Sequence, residues 1–206
     1  MIAVIDYGVG NLFSLTCSLK KIGVDSVVTS DRKVIEKADG LILPGVGAFG
    51  DAADKLNKSG LAALIKELAR EGKPLLGICL GMQMLFDKSY EYGEHLGLGL
   101  IEGEVVPMES EIKGLKIPHM GWNSLNLKNG DNPLFKYVNQ GDFVYFVHSY
   151  YAKCNSKNII ATSDYGIEIT AAVAEGKIFG TQFHPEKSGE TGLKILKAFT
   201  EAVKKC

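Results

Sequence analysis

Short apolar runs alternate with amphipathic helical patterns through the first half of this chain. The runs cover residues 2–5, 24–29, 40–43 and 74–78. Between the first two runs, Leu12, Leu15 and Leu19 recur at the spacing of one helix face. Parallel strands need crossover connections, which are usually helices, so this alternation predicts a parallel sheet covered by helices.

The second half of the chain has a different pattern, in which strands follow one another with glycine-containing turns. We predict strands at residues 98–106, 143–151, 158–163, 167–174 and 177–183, and a closing amphipathic helix at 188–205. A length of 206 residues fits one domain. The sequence therefore predicts a single α/β domain over residues 1–206, with an open mixed, mainly parallel sheet flanked by helices.

The charge balance gives no general attraction for polyanions. Lys plus Arg total 23 against 24 Asp plus Glu, a net charge of −1, so we expect no nucleic-acid partner. The chain contains no apolar run of membrane-spanning length, and its start shows no basic leader followed by an apolar segment. We expect a cytoplasmic protein without a membrane segment.

The chain has four cysteines, Cys17, Cys79, Cys154 and Cys206. They are too few for a disulfide scaffold and form no CxxC pair, which argues against a zinc ribbon or a dithiol redox site. The sequence predicts no metal site and no cofactor. Three of the four we interpret as structural or incidental: Cys17, Cys154 and Cys206.

Cys79 stands in a different setting, at the junction of a predicted strand and a helix. Residues 77–81 read GICLG, with Gly77 and Gly81 two positions before and after the cysteine. Small flanking residues permit the sharp turn of a nucleophile elbow, which lifts the side chain clear of the sheet. A helix starting at this point would also favour the thiolate through its dipole. The pattern predicts a nucleophilic thiol.

His184 and Glu186 follow the last predicted strand. Pro185 favours an extended conformation at His184, and side chains two apart in extended chain project to the same side. The carboxylate can then orient the imidazole, whose other nitrogen takes a proton from a thiol. Both this segment and Cys79 lie just beyond strand ends, where open sheets build their sites.

Together, residues 77–81 and the HPE segment 184–186 resemble the hallmarks of the class I, or triad, glutamine amidotransferases. The similarity covers essentially the whole chain. Its more specific marks are residues 7–11 (YGVGN), 44–49 (PGVGAF), 79–83 (CLGMQ), 118–123 (PHMGWN), 145–150 (YFVHSY) and 184–188 (HPEKS). They resemble the branch of this family that supplies ammonia for histidine biosynthesis. The resemblance implies a flavodoxin-like α/β architecture.

The resemblance also implies a reaction and its residues. The Cys79 thiolate attacks the side-chain amide of glutamine, forming a glutamyl thioester and ammonia, and the thioester is then hydrolysed while His184 shuttles protons. Backbone amides stabilise the oxyanion at Leu80, Val46 and Gly47. The residues implied for glutamine binding are Gln83, Glu91, Ser149 and Tyr150. The loop around Gly47 could also be a plain turn, and Glu91 an ordinary solvated acid.

His148 lies in an apolar strand, and we interpret it as a hydrogen-bonded core histidine. His95 and His119 likewise have no nucleophile beside them in the sequence.

Ammonia made without an acceptor site would be lost, so the sequence predicts a second protein. The resemblance implies a cyclase subunit of the (β/α)₈-barrel type, bound as a heterodimer. The blocks that face this cyclase in related subunits contain Asn11, Trp122, Asn123 and Lys187. An exposed tryptophan is a usual interface anchor, and a lysine next to Glu186 could form an ion pair across the interface. Their alternatives are a packed core tryptophan and a solvated lysine.

Several other functions remain open at this point. A dinucleotide-binding module is disfavoured, because Phe13 replaces the third glycine after Gly8 and Gly10. Another cysteine hydrolase, such as a peptidase, would share the elbow cysteine and a histidine. A non-catalytic subunit would not need Cys79 and His184 intact. A glutaminase could also serve a tryptophan, folate, purine or pyridoxal phosphate synthase, or a duplicated copy could serve surface-sugar amidation.

Overall fold

Strands and helices alternate along the first half of the chain, as the sequence predicts. The computed structural model describes residues 1–128 and 131–204. Its strands are β1 (Ile2–Ile5), β2 (Ser26–Thr29), β3 (Gly40–Gly45), β4 (Leu75–Cys79), β5 (Lys88–Ser89), β6 (His95–Leu96), β7 (Gly103–Pro107), β8 (His119–Ser124), β9 (Asn126–Leu127), β10 (Phe143–His148), β11 (Tyr150–Cys154), β12 (Ile159–Asp164), β13 (Glu168–Glu175) and β14 (Ile178–Thr181). Its helices are α1 (Leu12–Lys21), α2 (Arg32–Lys37), α3 (Phe49–Lys58), α4 (Leu61–Arg70), α5 (Leu80–Gln83) and α6 (Gly189–Lys204).

The main sheet is parallel in one half and antiparallel in the other. Its strand order is β2-β1-β3-β4-β14-β13-β12-β9. The pairs from β2 to β14 are parallel, and those from β14 to β9 are antiparallel. The predicted fold class, α/β with a mixed, mainly parallel sheet between helices, is therefore confirmed. Two smaller sheets, β10-β8 and β11-β7-β5-β6, lie outside this main sheet.

Each face of the main sheet is buried by its own set of helices. Side chains alternate along β1, so that Ala3 and Ile5 belong to one core cluster whereas Ile2 and Val4 belong to the other. The first cluster includes the buried residues of α2, α3 and α4, and the second includes those of α1 and α6. A strand covered on both faces has to be apolar throughout, which explains the unbroken apolar runs in the sequence.

Two of the predicted strands were wrong in extent. Residues 98–102 are not a strand, because the amides of Leu98 and Leu100 bond to the carbonyls of Met84 and Leu85 just after α5. The segment 143–151 is two strands that join different sheets, β10 with β8 and β11 with β7. The predicted closing helix is α6, and Lys205 and Cys206 lie outside the described residues.

None of the helices within residues 1–128 and 131–204 is both long enough and apolar enough to cross a membrane.

Helix α6 approaches the chain after β14 so closely that only glycine fits at position 192. A Cβ on Gly192 would clash with the Pro185 carbonyl oxygen. We therefore expect Gly192→Ala to lower the free energy of unfolding by about 1–3 kcal/mol through overpacking. Urea unfolding followed by circular dichroism measures this. Glu190→Ala, on the exposed side of the same helix, is the matched control and should change it by less than about 0.5 kcal/mol. Equal effects would contradict the assignment.

Candidate active site

Cys79 occupies a strained backbone turn between β4 and α5. Its φ of 54° and ψ of −110° lie outside the conformations that a non-glycine residue ordinarily adopts. The flanking glycines are required for this turn: a Cβ on Gly81 would clash with the Leu43 carbonyl oxygen, and one on Gly77 would lie 2.6 Å from the Gly81 carbonyl oxygen. The predicted elbow geometry is confirmed.

The Cys79 sulfur lies at the start of α5, as predicted. This helix has only four residues, and the effect of its dipole on the thiolate stays a prediction. The side chain is 7% exposed, and its Sγ lies 3.8 Å from Gln182 Nε2 and 3.9 Å from the Val147 carbonyl oxygen.

His184 and Glu186 form a buried pair at the end of β14. His184 Nδ1 lies 2.8 Å from Glu186 Oε1, and their side chains are 2% and 3% exposed. Nδ1 therefore carries a hydrogen and donates a hydrogen bond to the carboxylate. His184 Nε2 has no hydrogen-bond partner among the described residues and lines the same pocket as Cys79. The free nitrogen is available for proton transfer.

Two opposing effects act on the pKa of His184. Burial lowers it, whereas two neighbours raise it: Glu186 through its hydrogen bond to Nδ1 and its negative charge, and Cys79 through its proximity. The second effect is larger, and the pKa rises to about 10. The arrangement thus favours the protonated imidazole of His184 in the pocket that it shares with Cys79.

Ser188, to which the sequence analysis gave no role, holds the backbone of His184 in place. Its hydroxyl donates to the His184 carbonyl oxygen at 2.6 Å and accepts from the Tyr145 amide at 2.9 Å. The His184 amide in turn donates to the Tyr145 carbonyl oxygen at 3.0 Å. These three bonds fix the histidine against β10. Ser188 is the last residue of the HPEKS segment, and its place in that segment was the sequence signal that could have indicated a role.

The loop after β3 lies next to the elbow. Gly47 has a φ of 93°, a conformation that favours glycine, and Val46 is 41% exposed. Below the loop, the Tyr7 hydroxyl donates to the Pro44 carbonyl oxygen at 2.8 Å. Gly45 packs so tightly that a Cβ would lie 2.8 Å from the Gly81 amide nitrogen. The loop is thus held against the start of α5, where the Leu80 amide lies.

A pocket of about 320 Å³ gathers most of the predicted site residues. Its lining includes Val46, Gly47, Cys79, Leu80, Gln83, Glu91, Ser149, Tyr150 and His184. Glu186 does not line this pocket, but it is hydrogen-bonded to His184. Three further residues line the pocket without having been assigned to it from the sequence, namely Pro118, Val147 and His148. Pro118 lies in the 118–123 block and the other two in the 145–150 block, and these blocks of the family resemblance were the signal that could have indicated them.

Gln83 is held from two sides inside this pocket. Its Nε2 donates to the Tyr150 carbonyl oxygen and to Gln182 Oε1, both at 3.1 Å. The Ser149 carbonyl oxygen accepts from the Met108 amide at 2.9 Å. The Ser149 carbonyl and the Tyr150 amide belong to one trans peptide group, whose C=O and N–H point in opposite directions, so the Tyr150 amide faces away from Met108. It points to the same edge of β11 as the Tyr150 carbonyl oxygen, which Gln83 contacts.

Glu91 is neither a free surface acid nor solely a ligand residue. Its Oε2 accepts from the Phe49 amide at 2.6 Å, at the start of α3, where a carboxylate stabilises the helix end. Partial burial raises the pKa of this carboxyl, while the Phe49 amide acts in the opposite direction. The side chain also lines the pocket.

An exposed aromatic face lies on β8 and β10. We use this name for Trp122, Phe143 and the half-buried Tyr145, with Met120 and Lys187 beside them. Trp122 is 55% exposed, so it is not a packed core residue, and its ring meets Tyr145 edge-on at 6.2 Å. Lys187 Nζ lies 5.8 Å from the centre of the Tyr145 ring.

The two asparagines predicted for the partner interface lie in different surroundings. Asn11 precedes α1 without capping it through its side chain, close to His184. The half-buried Asn123 side chain donates to the Asp164 carbonyl oxygen at 2.7 Å.

His119 and His148 form a buried neutral pair beneath the pocket. His148 Nδ1 donates to the Tyr150 carbonyl oxygen at 2.8 Å, and its Nε2 accepts from His119 Nδ1 at 3.1 Å. Burial lowers the pKa of His119 to about 4 and that of His148 to about 3. The interpretation of His148 as a hydrogen-bonded core histidine is confirmed.

Within the described residues, no group of three or more His, Cys, Asp or Glu side chains could hold a metal ion.

Comparison with known proteins agrees with this fold and site. The family model of class-I glutamine amidotransferases matches residues 3–203, so the chain belongs to this family. A relative from Caldanaerobacter subterraneus subsp. tengcongensis, named imidazole glycerol phosphate synthase subunit HisH, is 55% identical and covers 99% of each chain. A relative of the same name from Lactococcus lactis subsp. lactis is 51% identical and covers 98% of each.

Solved structures show the same fold at lower identity. A crystal structure of a glutamine amidotransferase has a TM-score of 0.77 at 18% identity, covering 99% of this chain and 100% of that one. The structure of PurLQS from Thermotoga maritima has a TM-score of 0.75 at 22% identity and covers 98% of each chain.

The neutral histidine pair makes stability depend on pH. His119 stays neutral when folded but takes a proton near pH 6.5 when unfolded, so its contribution is present above that pH and falls as the pH drops toward about 4. We expect His119→Phe, which keeps stacking on Phe146 and Tyr165, to reduce the stability lost between pH 7.0 and 5.5 by at most about 1 kcal/mol. Urea unfolding at both pH values measures this. An unchanged loss would contradict the neutral assignment.

Proposed function

We propose that this chain is the glutaminase subunit of an imidazole glycerol phosphate synthase, and that it hydrolyses glutamine to glutamate and ammonia. The observation that carries the proposal is the pocket shared by Cys79 and His184, with Glu186 behind the histidine. The 55% identical relative over nearly the whole chain supports the histidine pathway.

The first half of the reaction forms the thioester. The Cys79 thiolate attacks the amide carbon of glutamine, and the electron pair of the carbonyl moves to oxygen. Backbone amides at Leu80 and at Val46 or Gly47 stabilise this oxyanion, and losing one such donor typically costs about a hundred- to a thousandfold in rate. The oxyanion collapses as His184 gives its proton to the leaving nitrogen, which departs as ammonia.

The second half releases glutamate. His184, now neutral at Nε2, takes a proton from water as the water attacks the thioester carbon. Collapse of this second oxyanion breaks the C–S bond, and the thiolate and imidazolium are restored. Glu186 holds the Nδ1 proton throughout, so that Nε2 always faces the reacting atoms. Gln83, Glu91, Ser149 and Tyr150 bind the amino acid end of the substrate.

The chain works together with a partner subunit. We propose a cyclase of the (β/α)₈-barrel type, bound as a heterodimer, that receives the ammonia and makes imidazole glycerol phosphate and AICAR. The exposed aromatic face and Lys187 support this docking surface, because aromatic anchors and a nearby charge are usual in interfaces. Asn11 lies near His184 and Glu186, whereas Asn123, bonded to the Asp164 carbonyl oxygen, would act through the position of β8.

The remaining parts of the proposal concern the protein as a whole. Residues 1–206 form a single glutaminase domain that acts in the cytoplasm. A duplicated copy serving surface-sugar amidation is the second candidate, because such a copy would keep the same pocket. Co-purification distinguishes the two, since the acceptor subunit that binds the chain determines the product.

Cys79→Ala tests whether ammonia release occurs in this chain and synthesis in the partner subunit. In the assembled enzyme, we expect this variant to lose glutamine-dependent synthesis but to keep synthesis from added ammonium salts, because only ammonia release occurs in this chain. Product formation with each nitrogen source is measured by absorbance or chromatography. Cys17→Ala, at an exposed thiol on α1, is the matched control and should support both reactions. Glutamine-dependent turnover by Cys79→Ala would remove it as the nucleophile.

Trp122→Ala and Lys187→Ala test the partner surface. We expect each to weaken binding to the cyclase, or the coupling of glutamine to product, by tenfold or more, because interface aromatics and paired charges often contribute about 1–3 kcal/mol. Titration calorimetry measures affinity, and circular dichroism checks folding. Lys33→Ala, at an exposed position on α2, should behave as wild type. Unchanged affinity and unchanged coupling in both variants would contradict the assignment of these residues to the interface.

A further inference from the structure

Gln182 is a fully buried polar side chain to which the mechanism above gives no role. It is 0% exposed and lies two residues before His184. Its Nε2 is 3.8 Å from the Cys79 sulfur, and its Oε1 accepts a hydrogen bond of 3.1 Å from Gln83 Nε2. One side chain therefore contacts both the nucleophile and a residue of the substrate pocket.

The hydrogen-bond chain fixes which end of the Gln182 amide faces the sulfur. The Tyr150 carbonyl oxygen can only accept, so the group of Gln83 that contacts it must be the NH₂. The same NH₂ group then donates its other hydrogen to Gln182, whose contacting atom must be Oε1. This leaves the Gln182 NH₂ pointing at Cys79. A rigid backbone carbonyl thus determines, through two amides, that a donor faces the thiol.

A donor at this position favours the ionised form of the sulfur. The Val147 carbonyl oxygen, 3.9 Å from the same sulfur, behaves differently: it accepts from the thiol and would repel a thiolate. Hydrogen bonds to ionised acceptors are stronger than those between neutral groups, and more so in a buried site. The Gln182 amide therefore contributes most when Cys79 carries its negative charge.

We propose that Gln182 is a catalytic residue whose side-chain amide donates a hydrogen bond to the Cys79 thiolate and stabilises it for attack. The assignment rests on the proposed function, since it concerns the nucleophile of that reaction. The same chain of amides joins the substrate pocket to the sulfur, because Gln83 orients the donor. A ligand that moves Gln83 would change the hydrogen bond to the nucleophile.

Gln182→Glu tests the proposal by changing a single group. The substituted side chain keeps its size and an acceptor for Gln83, but places an oxygen instead of an NH₂ against the sulfur. We expect alkylation of Cys79 by iodoacetamide at pH 8.5 to slow by about tenfold or more. The fraction of alkylated Cys79 is followed by peptide mass spectrometry, and exposed Cys17 in the same samples is the internal control.

Two further variants distinguish the hydrogen bond from packing. Gln182→Met removes the donor and retains an unbranched side chain, and we expect similarly slow alkylation. Gln140→Glu makes the same amide-to-carboxylate change away from the pocket and should react as wild type. For glutamine hydrolysis, Gln182→Glu should lower kcat by about tenfold while KM changes less than about threefold. Circular dichroism and urea unfolding confirm that the variants are folded.

The outcomes separate this proposal from the proposed function. Wild-type alkylation in Gln182→Glu at pH 8.5 overturns the role of Gln182, whatever Gln182→Met does. A raised KM with unchanged alkylation and kcat also overturns it, because Gln182 would then serve only to hold Gln83. If the wild-type chain did not hydrolyse glutamine with its partner, the proposed function would fail, yet the alkylation series would still report on the hydrogen bond to Cys79.

Discussion

The site depends on the close approach of the elbow after β4 to the end of β3. The positive-φ conformation of Cys79 costs on the order of 1–3 kcal/mol, and it persists only where the surrounding packing requires it. Gly45, Gly77 and Gly81 supply that packing, because their backbones meet at distances that exclude a side chain. The same approach brings the loop at Val46 into the pocket of Cys79, so the proposed nucleophile and the proposed oxyanion donors share one constraint.

A second set of buried hydrogen bonds connects the site to the exposed aromatic face. Tyr145 holds the backbone of His184 directly and through Ser188, while its ring contacts Trp122 and Lys187 on the surface. A protein bound at that surface would contact β10, the strand that positions His184. The contiguous contacts give a physical route by which a partner could influence catalysis.

Much of the fold and of the pocket could be predicted from the sequence. The parallel half of the sheet follows from unbroken apolar runs, and the elbow follows from glycines on both sides of Cys79. Residues 98–102 were mistaken for strand because Leu98 and Ile101 are apolar and buried, although the amides of this segment bond to the turn after α5. Periodicity reports burial, and it does not report hydrogen-bond partners.

The sequence by itself determined the α/β order, the sharp turn at Cys79 and the side-by-side placement of His184 and Glu186. These are local properties, because they depend on glycine conformation, on strand periodicity and on neighbours two residues apart. Only the tertiary structure decided that Gln182 faces the Cys79 sulfur, that Ser188 binds Tyr145 and that His148 lines the pocket. Those contacts join residues more than 40 positions apart or in different sheets, and no local pattern specifies which distant atoms meet.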